Sequence, residues 1–393
     1  MTFTLEALEA QKGDCLILSW GKTNEVVRHI VIDGGPAGVW ASSLSKRLDQ
    51  LRKNHKIPKL EPLPIEMVMV SHIDDDHING VLEFFSMIED VQPAVPYRVK
   101  TLWYNSFDDI LSNGSEELRS SVASLGAEVA AGRLASAVFG EGEGGRHSAA
   151  MLASINQGRQ LRAKAEGLKI IMNMGFKGLV MSQRQRVTFA LADGLKFHII
   201  APSLERLTAL HGEWEKHVAA HPGAASVASF ADRSIANLSS IVVVAEMDGR
   251  TMLLTGDARG DDILSGLATS GFIDDAKTGK AHFDLLKMPH HGSDRNMTLD
   301  FLQRITADHY VISANGEHDN PDTGTVEWIA KARAGESFRL HLTNEKMIEP
   351  NKQTDVGAAI KAVIAQHGLE AQTQFRPAPD LGLRIDLFDA LKF

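Results

Sequence analysis

Ser71-His72-Ile73-Asp74-Asp75-Asp76-His77-Ile78-Asn79-Gly80 crowds two histidines and three aspartates into six residues, at the end of the apolar run Ile65-Glu66-Met67-Val68-Met69-Val70. The run predicts a short, largely buried strand, and Asn79-Gly80 predicts a break before a helix over residues 81–88. A loop between a strand and a helix is where a rigid scaffold can aim imidazoles and carboxylates at one point and leave that point open to solvent. The stretch therefore reads as a metal site, with His72, Asp74, Asp76 and His77 as the ligand candidates. Asp75 matches no ligand position and is expected to be solvated or to cap the helix.

Two later segments end in the same way. Met252-Leu253-Leu254-Thr255-Gly256-Asp257-Ala258 is an apolar run closing on an aspartate, and Leu285-Leu286-Lys287-Met288-Pro289-His290-His291-Gly292-Ser293 closes on paired histidines. Three strand ends thus each deliver a ligand type. Imidazole with carboxylate suits zinc, and a larger carboxylate share moves the preference toward manganese or magnesium.

In this order the segments resemble the metallo-β-lactamase-fold hydrolases. Among these they are most similar to the branch typified by the metal-dependent domain of the ComEC competence proteins, where an aspartate replaces the second histidine of His-x-His-x-Asp-His. Gly13-Asp14-Cys15-Leu16-Ile17-Leu18, Ile32-Asp33-Gly34-Gly35-Pro36, Asn237-Leu238-Ser239-Ser240-Ile241 and Val311-Ile312-Ser313-Ala314-Asn315 extend the likeness over most of residues 1–330. The resemblance implies an α/β protein with αββα layering, two sheets sandwiched between helices. It also implies one or two divalent ions (zinc or manganese, with magnesium as an option), His72 and Asp74 holding one and Asp76 and His77 the other. Asp257 would bridge them, and one of His290 and His291 would complete the second, His291 being favoured because it precedes Gly292. Asn237 stands about where the family usually has a further histidine, which leaves the first ion short of a donor. Asp33 corresponds to an aspartate that braces the metal loops from behind.

Asp76 and Asp257 are the candidates closest to the chemistry. A divalent ion acidifies the water it binds, and a pair of ions suits in-line displacement at phosphorus, so the expected activity is that of a phosphodiesterase or nuclease. Lys287 and Ser293 flank the histidines as candidate phosphate contacts, and His318 lies in a segment, residues 315–321, that the branch places on the substrate side. Two other functions compete: hydrolysis of a small phosphodiester, a phosphorylcholine-like ester or a lactone, and a non-catalytic metal-binding module used in signalling.

Composition sets the outer bounds. The 393 residues, 44% hydrophobic and 23% charged, are ordinary for a globular chain with a large core, and are read as one catalytic unit over 1–393. Residues 105–180 and 203–235, rich in alanine and helical in pattern, are read as insertions near the active site, with helices over 115–136 and 147–167. The net charge of −9 argues against a wholly basic DNA-coating protein. Basic residues at Lys46, Arg47, Arg52, Lys53, Lys56 and Lys59, with Arg159, Arg162 and Lys164, remain as a candidate phosphate-binding face. Cys15 is alone, which excludes an internal disulfide and a cysteine zinc site. No run is long enough to span a bilayer and no basic segment precedes an apolar one at the start, so the expectation is a cytoplasmic protein without a membrane partner. The remaining histidines, His29, His55, His147, His198, His211, His217, His221 and His282, have no partner at ligand spacing and read as structural or surface residues.

Overall fold

Along the central strands, neighbouring side chains go to different cores. Ile17, Val31 and Val68 belong to one apolar cluster, whereas Leu16, Leu18, Ile30, Ile32, Met67 and Met69 belong to another. This alternation is the two-residue repeat of a strand buried on both faces. The computed structural model describes residues 1–23, 26–91, 95–111, 143–208 and 239–391.

Two large sheets organise the chain. Read across, the first runs Gly382–Asp386, Thr2–Leu8, Leu16–Gly21, Arg28–Ile32, Met67–Met69, Thr101–Trp103 and Ile171–Met172. The second runs Thr373–Phe375, Arg339–Leu342, Ile305–Ile312, Ala281–Lys287, Arg250–Leu254, Val242–Met247, Lys196–Ala201 and Val187–Ala190. In each an antiparallel meander, Thr2–Leu8 to Arg28–Ile32 in the first and Val187–Ala190 to Arg250–Leu254 in the second, is followed along the chain by parallel strands. Parallel strands need crossover connections, and helices supply them.

Those helices form the outer layers. Ser45–Asn54, Asp75–Asp90 and Glu143–Gly167 cover the first sheet through Leu48, Phe84, Phe85, Ile155 and Leu161. Gly260–Thr269, Leu299–Arg304, Thr323–Ala332 and Val356–Gln366 cover the second through Ile263, Phe301, Ile329 and Ile360. The inner faces meet in a third cluster, in which Phe3, Leu18 and Met67 pack with Phe197, Val243 and Leu285. The four layers are helix, sheet, sheet, helix, the αββα layering expected from the sequence. Cys15 is buried, and among the described residues no helix is long and apolar enough to cross a membrane.

Three local readings need correction or a boundary. Asn79-Gly80 does not break the chain: the helix runs from Asp75 to Asp90 straight through it. Gly80 is required by contact instead, because a Cβ there would lie 1.9 Å from the carbonyl oxygen of Gly34. Helix and loop backbones touch at that point, and a side chain would hold them apart. Within the first expected insertion the helix begins earlier than residue 147 and spans Glu143–Gly167, packing against the helix that follows the metal loop; the segment 115–136 lies outside the described residues, as do positions 209–235 of the second.

Candidate metal centre

Every ligand candidate stands at the carboxyl end of a strand, the edge at which open α/β sheets present their loops. Met67–Met69 leads into His72 to His77, Arg250–Leu254 into Asp257, and Ala281–Lys287 into His290 and His291. Asp74 occupies the N-cap position of the Asp75–Asp90 helix, so Asp76 and His77 lie in its first turn. His290 and His291 both adopt left-handed backbone, with φ of 46° and 55°. That conformation costs about 1–3 kcal/mol per residue, and it turns both imidazoles of a sequence-adjacent pair toward Asp257.

The geometry converges on Asp257, which is buried. Its Oδ1 is 3.4 Å from His77 Nε2, and its Oδ2 is 3.8 Å from His72 Nε2 and 3.6 Å from both His290 Nε2 and His291 Nε2. Asp76 reaches His77 at 3.8 Å and His291 at 3.4 Å through its two oxygens, and Asp74 Oδ2 is 3.5 Å from His72 Nε2. Ligand atoms of His72, His77 and Asp257 lie within 4.8 Å of one another, as do those of Asp76, His77 and His291. Five residues from three loops thus become two overlapping donor groups.

The four imidazoles are held alike. His77 Nδ1 donates to Asp33 at 2.9 Å, His291 Nδ1 to the Ser313 carbonyl at 3.0 Å, and His290 Nδ1 to Asn296 Oδ1 at 2.8 Å. Ser71 Oγ gives its proton to Asp33, so toward His72 Nδ1, 3.1 Å away, it acts as acceptor. In each ring the Nδ1 proton is engaged, which leaves the Nε2 lone pair facing inward.

Those inward atoms lack partners. His72 Nε2, His77 Nε2, His291 Nε2 and Asp257 Oδ1 are all buried without a hydrogen bond. An unmet buried polar atom costs about 1–3 kcal/mol, so a cluster of them aimed at one place fits a cation. Charge says the same. Burial works against protonation of His291, yet Asp257 and Asp14 outweigh it and pull the ring up to about 10. Burial likewise opposes a charged His77, and Asp257, Asp33 and Asp76 overcome it and raise it well above its ordinary value. Burial would raise Asp257, but His291, His77, His290 and His72 hold it well below the carboxylate range. The pocket is short of positive charge, which protons on the histidines supply and a divalent cation would supply better.

No family model matches the sequence, and no curated protein matches it. Among solved structures, Zn(2+)-bound PqqB from Methylobacterium extorquens is similar over 98% of this chain and 99% of its own, at 12% identity and a TM-score of 0.41. A protein described as a metal-dependent hydrolase from Parabacteroides distasonis is similar over 86% of this chain and 98% of its own, at 11% identity and a TM-score of 0.32. A mutant of the CmlA β-hydroxylase is similar over 97% of this chain and 54% of its own, at 12% identity and a TM-score of 0.36. Likenesses of this size decide neither substrate nor mechanism.

The remaining expected site residues fall in different places. Asp33 is buried behind the ligands, accepting from the Ser71 amide at 2.7 Å as well as from Ser71 Oγ at 2.8 Å. Lys287 does not reach the cleft: it is 1% exposed, with its amine 2.7 Å from Asp14 and donating to the Met288 carbonyl at 3.0 Å. Ser293 is buried beside Asp322, its Oγ accepting from the Arg295 amide at 3.4 Å, the arrangement of a loop brace. His318 is largely exposed, 3.9 Å from Glu317, and Asn237 lies outside the described residues. Asp75 makes no capping bond; its Oδ1 accepts from Asn79 and, at 3.5 Å, from Gln157.

Four residues that sequence reasoning gave no role serve the centre. Asp14 and Ser313 lie in quoted motifs, and Ser71 opens the ligand segment, but nothing in their spacing shows which atom they touch. Asn296 carries no sequence signal. It orients His290 and donates to the Asp257 carbonyl at 2.9 Å.

Proposed function

We propose that this chain is a metal-dependent hydrolase acting on phosphodiesters. The observation that carries the reading is the position of Asp257, whose two carboxylate oxygens face different imidazoles and can serve two ions at once. In this reading His72, Asp74 and His290 form one donor set, Asp76, His77 and His291 the other, and Asp257 belongs to both. His290 then supplies the donor that the sequence pattern lacked. A pair of divalent ions held there would provide Lewis acidity and lower the pKa of water.

The protein's own residues do the rest. Asp33, Ser313 and Asn296 fix the proton on Nδ1 of their histidines, so no rearrangement is needed to present Nε2. Asp76 is the more open of the two central carboxylates, with 21% of its side chain exposed against 3% for Asp257. It is therefore the donor that an incoming water or substrate meets first. Lys12 lies close enough to the metal loop to feel Asp76 and Asp75. Partial burial works against its charge, and Glu317, Asp76 and Asp75 together overcome it. Its ammonium is paired with Glu317 at 3.2 Å.

A nuclease is the narrower form of the proposal and rests on the ComEC-like pattern. One observation favours a small substrate instead. Arg159, Arg162 and Lys164, expected on a phosphate-binding face, pair with Asp108, Asp109 and Glu89, and Arg47 pairs with Glu6 at 2.8 Å. Hydrolysis of labelled single- and double-stranded DNA and RNA, and of a chromogenic phosphodiester, with Mn²⁺, Mg²⁺ or Zn²⁺ supplied separately, tests both forms. Activity lost in Asp76→Asn and kept in Asp75→Asn supports the site, and polynucleotide cleavage separates nuclease from small-substrate enzyme. No turnover of any phosphodiester with any of the ions would end the proposal.

A further inference from the structure

Behind His291, Asp14 and Lys287 form an ion pair sealed from solvent. Lys287 Nζ is 2.7 Å from Asp14 Oδ2 and each side chain is 1% exposed. Asp14 Oδ1 has no hydrogen-bond partner and lies 3.5 Å from Nδ1 of His291. Burying two full charges costs about as much as their attraction returns, and a well-packed apolar pair of the same volume usually serves a fold as well or better. Stability alone therefore does not account for this pair.

Its connections do. The Asp14 amide donates to the Asp76 carbonyl at 3.2 Å, so a single residue touches Asp76 through its backbone and His291 through its side chain. Their loops are pressed together so closely that a Cβ at Gly13 would lie 1.9 Å from the Asp76 oxygen. The Lys287 carbonyl accepts from Thr255 Oγ1 at 2.7 Å, two residues before Asp257, while its chain leads directly into the His290-His291 turn. The pair thus ties together all three ligand-bearing loops.

We infer that Asp14 and Lys287 are a positioning pair for the metal centre, holding the His291 ring with Nε2 aimed at Asp76 and Asp257. Asp14 supplies a negative charge behind the imidazole, which orients a ligating histidine and strengthens it as a donor. Lys287 balances that charge, so the carboxylate is held in place without a free anion in the core. The inference rests on the metal-binding reading of the site.

The test compares the full-length wild type with Asp14→Leu, Lys287→Met and the double variant, titrating Mn²⁺ and Zn²⁺ by chelator competition and unfolding the metal-stripped proteins in urea. Each single variant leaves a buried charge alone and should lower the urea midpoint. The double variant should recover most of that midpoint yet bind metal about 10–100-fold more weakly than wild type. Wild-type affinity in the double variant would overturn the positioning role and leave the metal site standing. A wild type that binds neither ion would overturn both. If the double variant does not fold, Asp14→Asn, which keeps an oxygen for Lys287, gives the same comparison: a tenfold or larger loss is expected, and unchanged affinity refutes the inference.

Discussion

Asp33 Oδ2 lies 2.9 Å from Nδ1 of His77, with neither residue accessible to water. The aspartate comes from the end of the third strand and the histidine from the first turn of a helix, 44 residues later. This contact sets which nitrogen of His77 carries the proton. Replacing Asp33 by asparagine preserves shape but removes the charge and allows the ring to turn over. Metal affinity, read by chelator competition, should fall about 10–100-fold.

The shared carboxylate should matter more than any outer partner. Asp257→Ala removes an oxygen from both donor sets, so metal binding should fall by more than in Asp33→Asn, and hydrolysis with it. His290→Ala touches one set and should leave the other able to bind. Metal content after dialysis distinguishes them: the Asp257 variant should retain less than the His290 variant.

Metal removal should destabilise the fold. The ion binds the assembled site and not the unfolded chain, so at a concentration of about 100 times Kd it adds about 2.7 kcal/mol. Thermal unfolding with chelator and with added Mn²⁺ or Zn²⁺ measures this. A midpoint indifferent to every ion would count against the site.

Acid should destabilise the protein through histidines far from the centre. Burial, then His55 and Arg47, hold His29 down to about 3, and burial with His309 does the same for His341. Both folded values lie below the ordinary 6.5, so this contribution is fully present above pH 6.5 and is lost as pH falls from 6.5 toward 3. Each histidine should add up to about 1.4 kcal/mol per pH unit to the slope. Urea unfolding across that window should show a shallower dependence in His341→Gln than in wild type.

Two glycines should respond in opposite ways to alanine. Gly80→Ala forces a Cβ into the Gly34 carbonyl and should cost about 3 kcal/mol. Gly158 lies within the helix Glu143–Gly167, and among the described residues a Cβ there meets only Ile73, at 3.5 Å. Alanine at 158 should stabilise by about 0.5–1 kcal/mol. Urea midpoints of the two variants provide the comparison.

The layered fold and most of the residues that gather around Asp257 were legible from the sequence because they follow local rules. Apolar runs such as 65–70, 252–254 and 285–286 mark strands, the His and Asp residues that close them mark the loops after them, and both features are written in consecutive residues. What tertiary structure alone decided concerns partners that lie far apart in the chain. The reading of Asn79-Gly80 as a break failed because glycine has two uses, and only the approach of Gly34 shows that this one is close packing inside a helix. Lys287 looked like a phosphate contact beside the histidines until Asp14, 273 positions earlier, was seen to claim it. The proton on each imidazole is set in the same way, by Asp33, Ser313, Ser71 and Asn296. Sequence spacing identifies which residues can bind a cation; only the folded chain brings up the acceptors that turn their lone pairs inward.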